Sequence, residues 1–144
     1  MDPSKDSFYI AQRPVWSVNP KVHKFVNFSR IILIFAARRM KVFFEKEYLL
    51  ELYRDGKTRD KHHRYQPSIV KKYQRIVRYM AGAKDITELW TTSSLHYEKL
   101  WGDKEGLSSV RVNDKYRIEF REETEDGKIF ATLCTITELS NHYR

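Results

Sequence analysis

Between residues 69 and 120 the apolar residues change their period, and that change restricts the chain to one class of fold. Ile69, Val70, Tyr73, Ile76, Val77 and Met80 fall at i, i+1, i+4, i+7, i+8 and i+11, a single stripe of an α-helix. Pro67 suits the first turn of that helix, Gly82 stops it, and Lys71, Lys72, Arg75 and Arg78 occupy its opposite face. From Leu95 onward the period is two. Val110 and Val112 alternate with Ser109 and Arg111, Asn113-Asp114 makes a turn, and Tyr116, Ile118 and Phe120 alternate with Arg117, Glu119 and Arg121. A second turn at Glu125-Asp126-Gly127 leads into Ile129–Ile136, which is apolar on both faces, as a central strand would be. Upstream, Met40–Phe44 reads as a short strand, and Glu45–Asp55, closed by Gly56, reads as a helix. Asp85-Ile86-Thr87-Glu88 opens one more helical turn. The order predicts an α+β fold: a small antiparallel meander, with an N-terminal strand, packed against two to three helices.

One domain of this kind accounts for residues 40–144. Residues 1–39 hold three of the four prolines (Pro3, Pro14 and Pro20), no glycine and no sustained period, and they read as a separate basic extension. Met40 opens the patterned part and has the form of a start, which makes the extension dispensable; the competing reading is an ordered arm docked on the domain. The longest apolar run, Ile31–Ala37, is far shorter than the roughly 20 residues of a membrane helix, and a single cysteine excludes a disulfide scaffold. These features predict a cytoplasmic protein without a membrane partner.

The net charge of +8 is unevenly spread. Residues 1–39 carry +5 of it, and Lys57–Arg78 alone carries eight bases against Asp60. Such a density suits a polyanion or an acidic protein partner, and it also suits a solvated helix face.

The sequence lacks a Gly-rich phosphate loop, a Ser-His-Asp arrangement and a metalloprotease helix motif. Its histidines have no ligand spacing, so no metal is expected, and His62-His63 reads as a solvated pair. Cys134 alternates with Phe130, Thr132 and Ile136 and reads as core. What remains is a set of basic and titratable groups around the meander. Lys99 and Lys104 flank the Gly102/Gly106 loop; Arg111 and Arg117 lie out of phase with the apolar strand positions; His142, Tyr143 and Arg144 end the chain. Cleavage of RNA by its own 2′-hydroxyl requires a base, an acid for the leaving 5′-oxygen, and cations against the growing charge on phosphorus. Arginine meets the last need with a fork that matches two phosphate oxygens, and a histidine can move protons near neutral pH. The other reading of Arg111 and Arg117 is a pair of solvent-facing strand arginines matched with Glu119 or Glu122.

The segments Leu100-Trp101-Gly102-Asp103-Lys104-Glu105-Gly106 and Ser109-Val110-Arg111-Val112-Asn113-Asp114-Lys115-Tyr116-Arg117-Ile118 resemble the signature of the RelE/ParE toxin superfamily, especially its HigB-like branch. The resemblance covers residues 40–144. It implies a type II toxin that needs no metal or other cofactor, is neutralised by a cognate antitoxin protein, and cuts mRNA in the ribosomal A site. By position it assigns Arg111 and Arg117 to the scissile phosphate, Arg111 foremost, and His142 and Tyr143 to proton transfer. Lys99, Lys104, Lys71, Lys72 and Arg75 would hold RNA. Two alternatives share the fold: a ParE-like toxin that poisons DNA gyrase by binding, and an inactive relative that binds only its antitoxin. Two departures stand out. Trp101 replaces the lysine of the family's L-K-G-D motif, passing its role to Lys99 or Lys104, and the C-terminal D-Y-H becomes Ser140-Asn141-His142, with Tyr143 displaced beyond it.

Overall fold

The structure, a computed structural model, describes residues 39–141. Strand β1 (Lys41–Phe44) leads into α1 (Glu47–Asp55); α2 (Pro67–Gly82) and the short α3 (Ile86–Thr91) follow. Strands β2 (Glu98–Lys99), β3 (Ser108–Arg111), β4 (Tyr116–Glu123) and β5 (Leu133–Asn141) complete a five-stranded sheet of order β1-β5-β4-β3-β2. The meander β2 to β5 is antiparallel, as the period-two pattern predicts, and β1 joins β5 in parallel.

The apolar stripe of α2 is buried along its whole length, from Ile69 through Met80. It meets Val42 and Phe44 of β1, Leu49 and Leu52 of α1, and the inward residues Val110, Ile118, Phe120, Cys134 and Ile136 of the sheet. Two local devices fix α1 against α2. Gly56, at φ 72°, takes the left-handed position that ends α1, and Gln74 of α2 donates to the carbonyls of Leu52 and Tyr53, both at 3.1 Å. Asp85 caps α3 by accepting from the Thr87 backbone at 2.9 Å.

The last strand differs from its sequence reading. The apolar run predicts a strand over Ile129–Ile136, whereas β5 occupies Leu133–Asn141. Ile129 is 89% exposed, and it and Phe130 lie in the connection before the strand, because pairing with both Lys41 and Glu123 begins only at Leu133. A bulge hides the second half of β5 from any period-two reading. Glu119 faces Glu138 and Phe120 faces Ile136, which leaves Thr137 as the extra residue, its hydroxyl donating to the Glu119 carbonyl at 3.2 Å. The core positions therefore run 134, 136 and 139, and Glu138 turns outward.

β1 covers only residues 133–136 of β5. Past its end the outer edge of β5 is completed by side chains: the Leu139 N–H donates to the Tyr48 hydroxyl at 3.2 Å, and the Leu139 carbonyl accepts from the Tyr65 hydroxyl at 2.9 Å. The basic loop between α1 and α2 thus closes against the second half of β5. Glu51, nearly buried on α1, anchors that loop by accepting from the Thr58 hydroxyl at 2.6 Å and from Arg59 through its backbone (3.1 Å) and Nε (2.8 Å). No helix among the described residues is long and apolar enough to cross a membrane.

Candidate functional site

The closure leaves a cavity of about 580 Å³ between the loop and the open face of the sheet. Its loop wall is His62–Tyr65; its sheet wall includes Lys104, Arg117, Glu119, Glu138 and Asn141. Strand phase places the charged residues here. Ile118 and Phe120 point to the helices, so Arg117 and Glu119 face outward, and the Thr137 bulge brings Glu138 to the same side.

Arg117 is the most enclosed cation of this wall, with 17% of its side chain exposed. Its Nη1 lies 3.0 Å from Glu98, yet the angle makes no hydrogen bond, and this buried nitrogen is left unsatisfied. A guanidinium in a cavity wall can hold a phosphate oxygen through its other nitrogens. Lys104 reaches the cavity from the 3-10 turn Gly102–Lys104 and pairs with Glu119. Glu138 accepts from Tyr48 and, at 2.5 Å, from Lys46. Burial acts against its charge, but those two hydrogen bonds and the charges of Lys46 and His63 outweigh it and hold the carboxyl below the ordinary carboxylate range. Burial first, and the Glu138 contact second, push the Tyr48 phenol up, so Tyr48 keeps its proton.

Arg111 stands directly opposite Arg117 in the β3–β4 register, on the same face. It lies outside the cavity wall: Nη2 pairs with Asp114 in the turn, and Nη1 is 3.4 Å from His96 Nε2. Neither arginine has the partner expected for a surface pair, since Glu119 is engaged by Lys104 and Glu122 by Lys99 at 3.1 Å. Lys99 and Lys104 are separated by the sheet. Lys99 faces the opposite side, in a cleft of about 540 Å³ shared with Trp90, Trp101 and Phe130, so Lys104 alone of the two borders the Arg117 cavity. Trp101 itself is 78% exposed. Lys71, Lys72 and Arg75 are exposed on the outer face of α2. His142 and Tyr143 lie outside the described residues; they follow Asn141 of the cavity wall in sequence.

His63 is the group that sequence reasoning missed. It is half-buried, its ring stacked on Tyr48 with centroids 3.6 Å apart, and its Nδ1 is 2.7 Å from Asp60. The only hint in the sequence is the Asp60–His63 spacing of three, which one 3-10 turn converts into a contact. Among the described residues no three His, Cys, Asp or Glu side chains gather as a metal site.

The family model for the RelE-like toxin of the type II toxin–antitoxin system HigB matches residues 42–133, well over half of the chain. The chain belongs to this family. As a member it is a type II toxin by descent, and its mixed sheet with helices on one face is the framework on which the cavity is built. The toxin is similar to the YoeB/ParE toxin from Agrobacterium tumefaciens, 17% identical, over 72% of this chain and 100% of that one, with a TM-score of 0.44. It is also similar to a YoeB-YefM complex from Staphylococcus aureus, 16% identical over 73% and 99% of the two chains, TM-score 0.39. No curated protein matches the toxin.

Proposed function

We propose that the chain is a ribosome-dependent mRNA endonuclease that inhibits translation in the cytoplasm and is neutralised by a cognate antitoxin. The observation that carries this reading is the Arg117 guanidinium, largely enclosed in the wall of an open polar cavity, with Nη1 ion-paired to Glu98 at 3.0 Å without a hydrogen bond. Such a group strengthens its hold as negative charge builds on phosphorus, which is how a fixed cation lowers a barrier instead of merely binding. Arg117 takes the scissile phosphate, with Arg111 beside it on the same face once its guanidinium leaves Asp114. His142, with Tyr143, protonates the leaving oxygen. Lys104 contacts the phosphate backbone, and Lys71, Lys72 and Arg75, with Lys99 on the far face, hold flanking RNA. The functional unit is residues 40–144.

Primer extension on mRNA from cells briefly expressing the full chain, and in parallel a chain begun at Met40, tests this reading. New 5′ ends within translated codons are expected from both. Intact mRNA accompanied by gyrase-linked DNA breaks overturns the nuclease reading in favour of the gyrase poison. Loss of folding on removal of residues 1–39 overturns the domain boundary.

A further inference from the structure

We infer that His63 is the general base of this cleavage, an assignment that rests on the nuclease reading above. The imidazole is fixed from three sides. Asp60 holds Nδ1 at 2.7 Å, Tyr48 lies flat against the ring, and Glu138 of β5 stands 3.8 Å from Nε2, beyond hydrogen-bond distance. A carboxylate on Nδ1 selects the tautomer whose proton sits there, and leaves the Nε2 lone pair on the cavity side. The neighbouring His62 is exposed.

The other candidates on this wall are occupied or protonated. Tyr48 retains its proton and donates it to Glu138. Glu138 is tied to Lys46 and Tyr48, and Glu119 to Lys104. Asp60 is the orienting group: the His62 backbone N–H first, and His63 second, hold its carboxyl below the ordinary range, so it stays charged. The charged groups nearest the imidazole are thus Asp60 from its own loop, Glu138 from β5 and, behind Glu138, Lys46 from the start of α1; Arg64 from the loop, and Arg117, Glu119 and Lys104 from the sheet side, border the same cavity.

In the step assigned to it, Nε2 takes the proton of a ribose 2′-hydroxyl. The 2′-oxygen bonds to phosphorus, the P–O5′ bond breaks, and the 5′-oxygen leaves with a proton from a general acid. The products are a 2′,3′-cyclic phosphate and a 5′-hydroxyl end, and base and acid are left with exchanged protonation states.

The test is single-turnover cleavage of mRNA on programmed ribosomes across pH, using the full chain. His63→Gln is expected to lose about 10²–10⁴-fold in rate, and the acid limb of the pH profile with it, while ribosome binding stays near wild type. Asp60→Asn keeps an acceptor for the His62 N–H but turns an amide N–H toward His63 Nδ1. It is expected to lower the rate roughly tenfold or more, because the ring proton is then driven to Nε2 and the base is lost. A His63→Gln protein that cuts at the wild-type rate with the same profile, while Arg117→Ala is inactive, overturns the assignment and leaves the nuclease reading standing. A wild-type chain that cuts nothing overturns both. Should His63→Gln melt below the assay temperature, a wild-type rate in Asp60→Asn overturns the assignment.

Discussion

Arg111 and Arg117 face each other across one rung of the sheet, yet they occupy different chemical settings. Arg117 lines the cavity, largely enclosed, with Nη1 3.0 Å from Glu98 in an ion pair that makes no hydrogen bond. Arg111 is twice as exposed, 34% against 17%, and its guanidinium is occupied by Asp114 and His96 at the β3–β4 turn. The lesson concerns shape. The loop anchored by Glu51 and closed by Tyr48 and Tyr65 roofs the second half of β5, and Arg117 falls under that roof while Arg111 falls beyond its rim. An enclosed cation acts in a poorer dielectric than an exposed one, so equal charges carry unequal weight.

Four measurements sharpen or break this contrast. Arg117→Ala is expected to lose roughly 10²-fold or more in single-turnover cleavage with the melt little changed, and Arg117→Lys to recover little because a point charge cannot reproduce the fork. Normal cleavage by Arg117→Ala removes it from the site. Next in size is the outer face of α2. Reversal of Lys71, Lys72 and Arg75 to Glu should lower ribosome affinity and reduce the salt slope by about three if each neutralises one phosphate, with cleavage positions unchanged. An unaltered slope marks that face as merely solvated.

Arg111→Ala is expected to have a smaller effect, within about tenfold in rate, or roughly 1.4 kcal/mol. A loss larger than that of Arg117→Ala inverts the comparison and restores Arg111 as the principal phosphate contact. The smallest effect concerns the roof. Hydrogen bonds from the Thr58 hydroxyl, then from Arg59, hold the Glu51 carboxyl below its ordinary value. A carboxyl depressed in the folded state stabilises above its unfolded pKa and loses that contribution as pH falls through the folded one. Glu51→Gln should therefore melt below wild type at neutral pH, with the gap closing in acid; a gap independent of pH means that the charge is not what holds the loop.

The parts of this molecule that repeat a period were legible in its sequence. The α2 stripe, the Gly56 stop, the Asp85 cap and the alternation around Ile118 each arise from interactions within a few residues, and each lies where the period places it. β5 was displaced because Ile129 and Phe130 supply apolar residues without strand pairing, and because the Thr137 bulge breaks the alternation that would have revealed residues 137–141. The cavity was only partly legible. Strand phase correctly sets Arg111 and Arg117 on one face, but nothing local states which of them the loop will cover. His63 depends on Tyr48 and Glu138, 15 and 75 positions away in the chain, and a pair of adjacent histidines in a basic loop carries no trace of either contact.

Cys134, the only cysteine in the chain, lies in β5 between its two neighbouring strands, fully buried, with burial pushing its thiol up. It can be modified only when the centre of the sheet opens, so its labelling rate is a native clock for that opening and needs no introduced dye site. A bound protein that grips the sheet should slow the clock, and one that touches only the loop should leave it running.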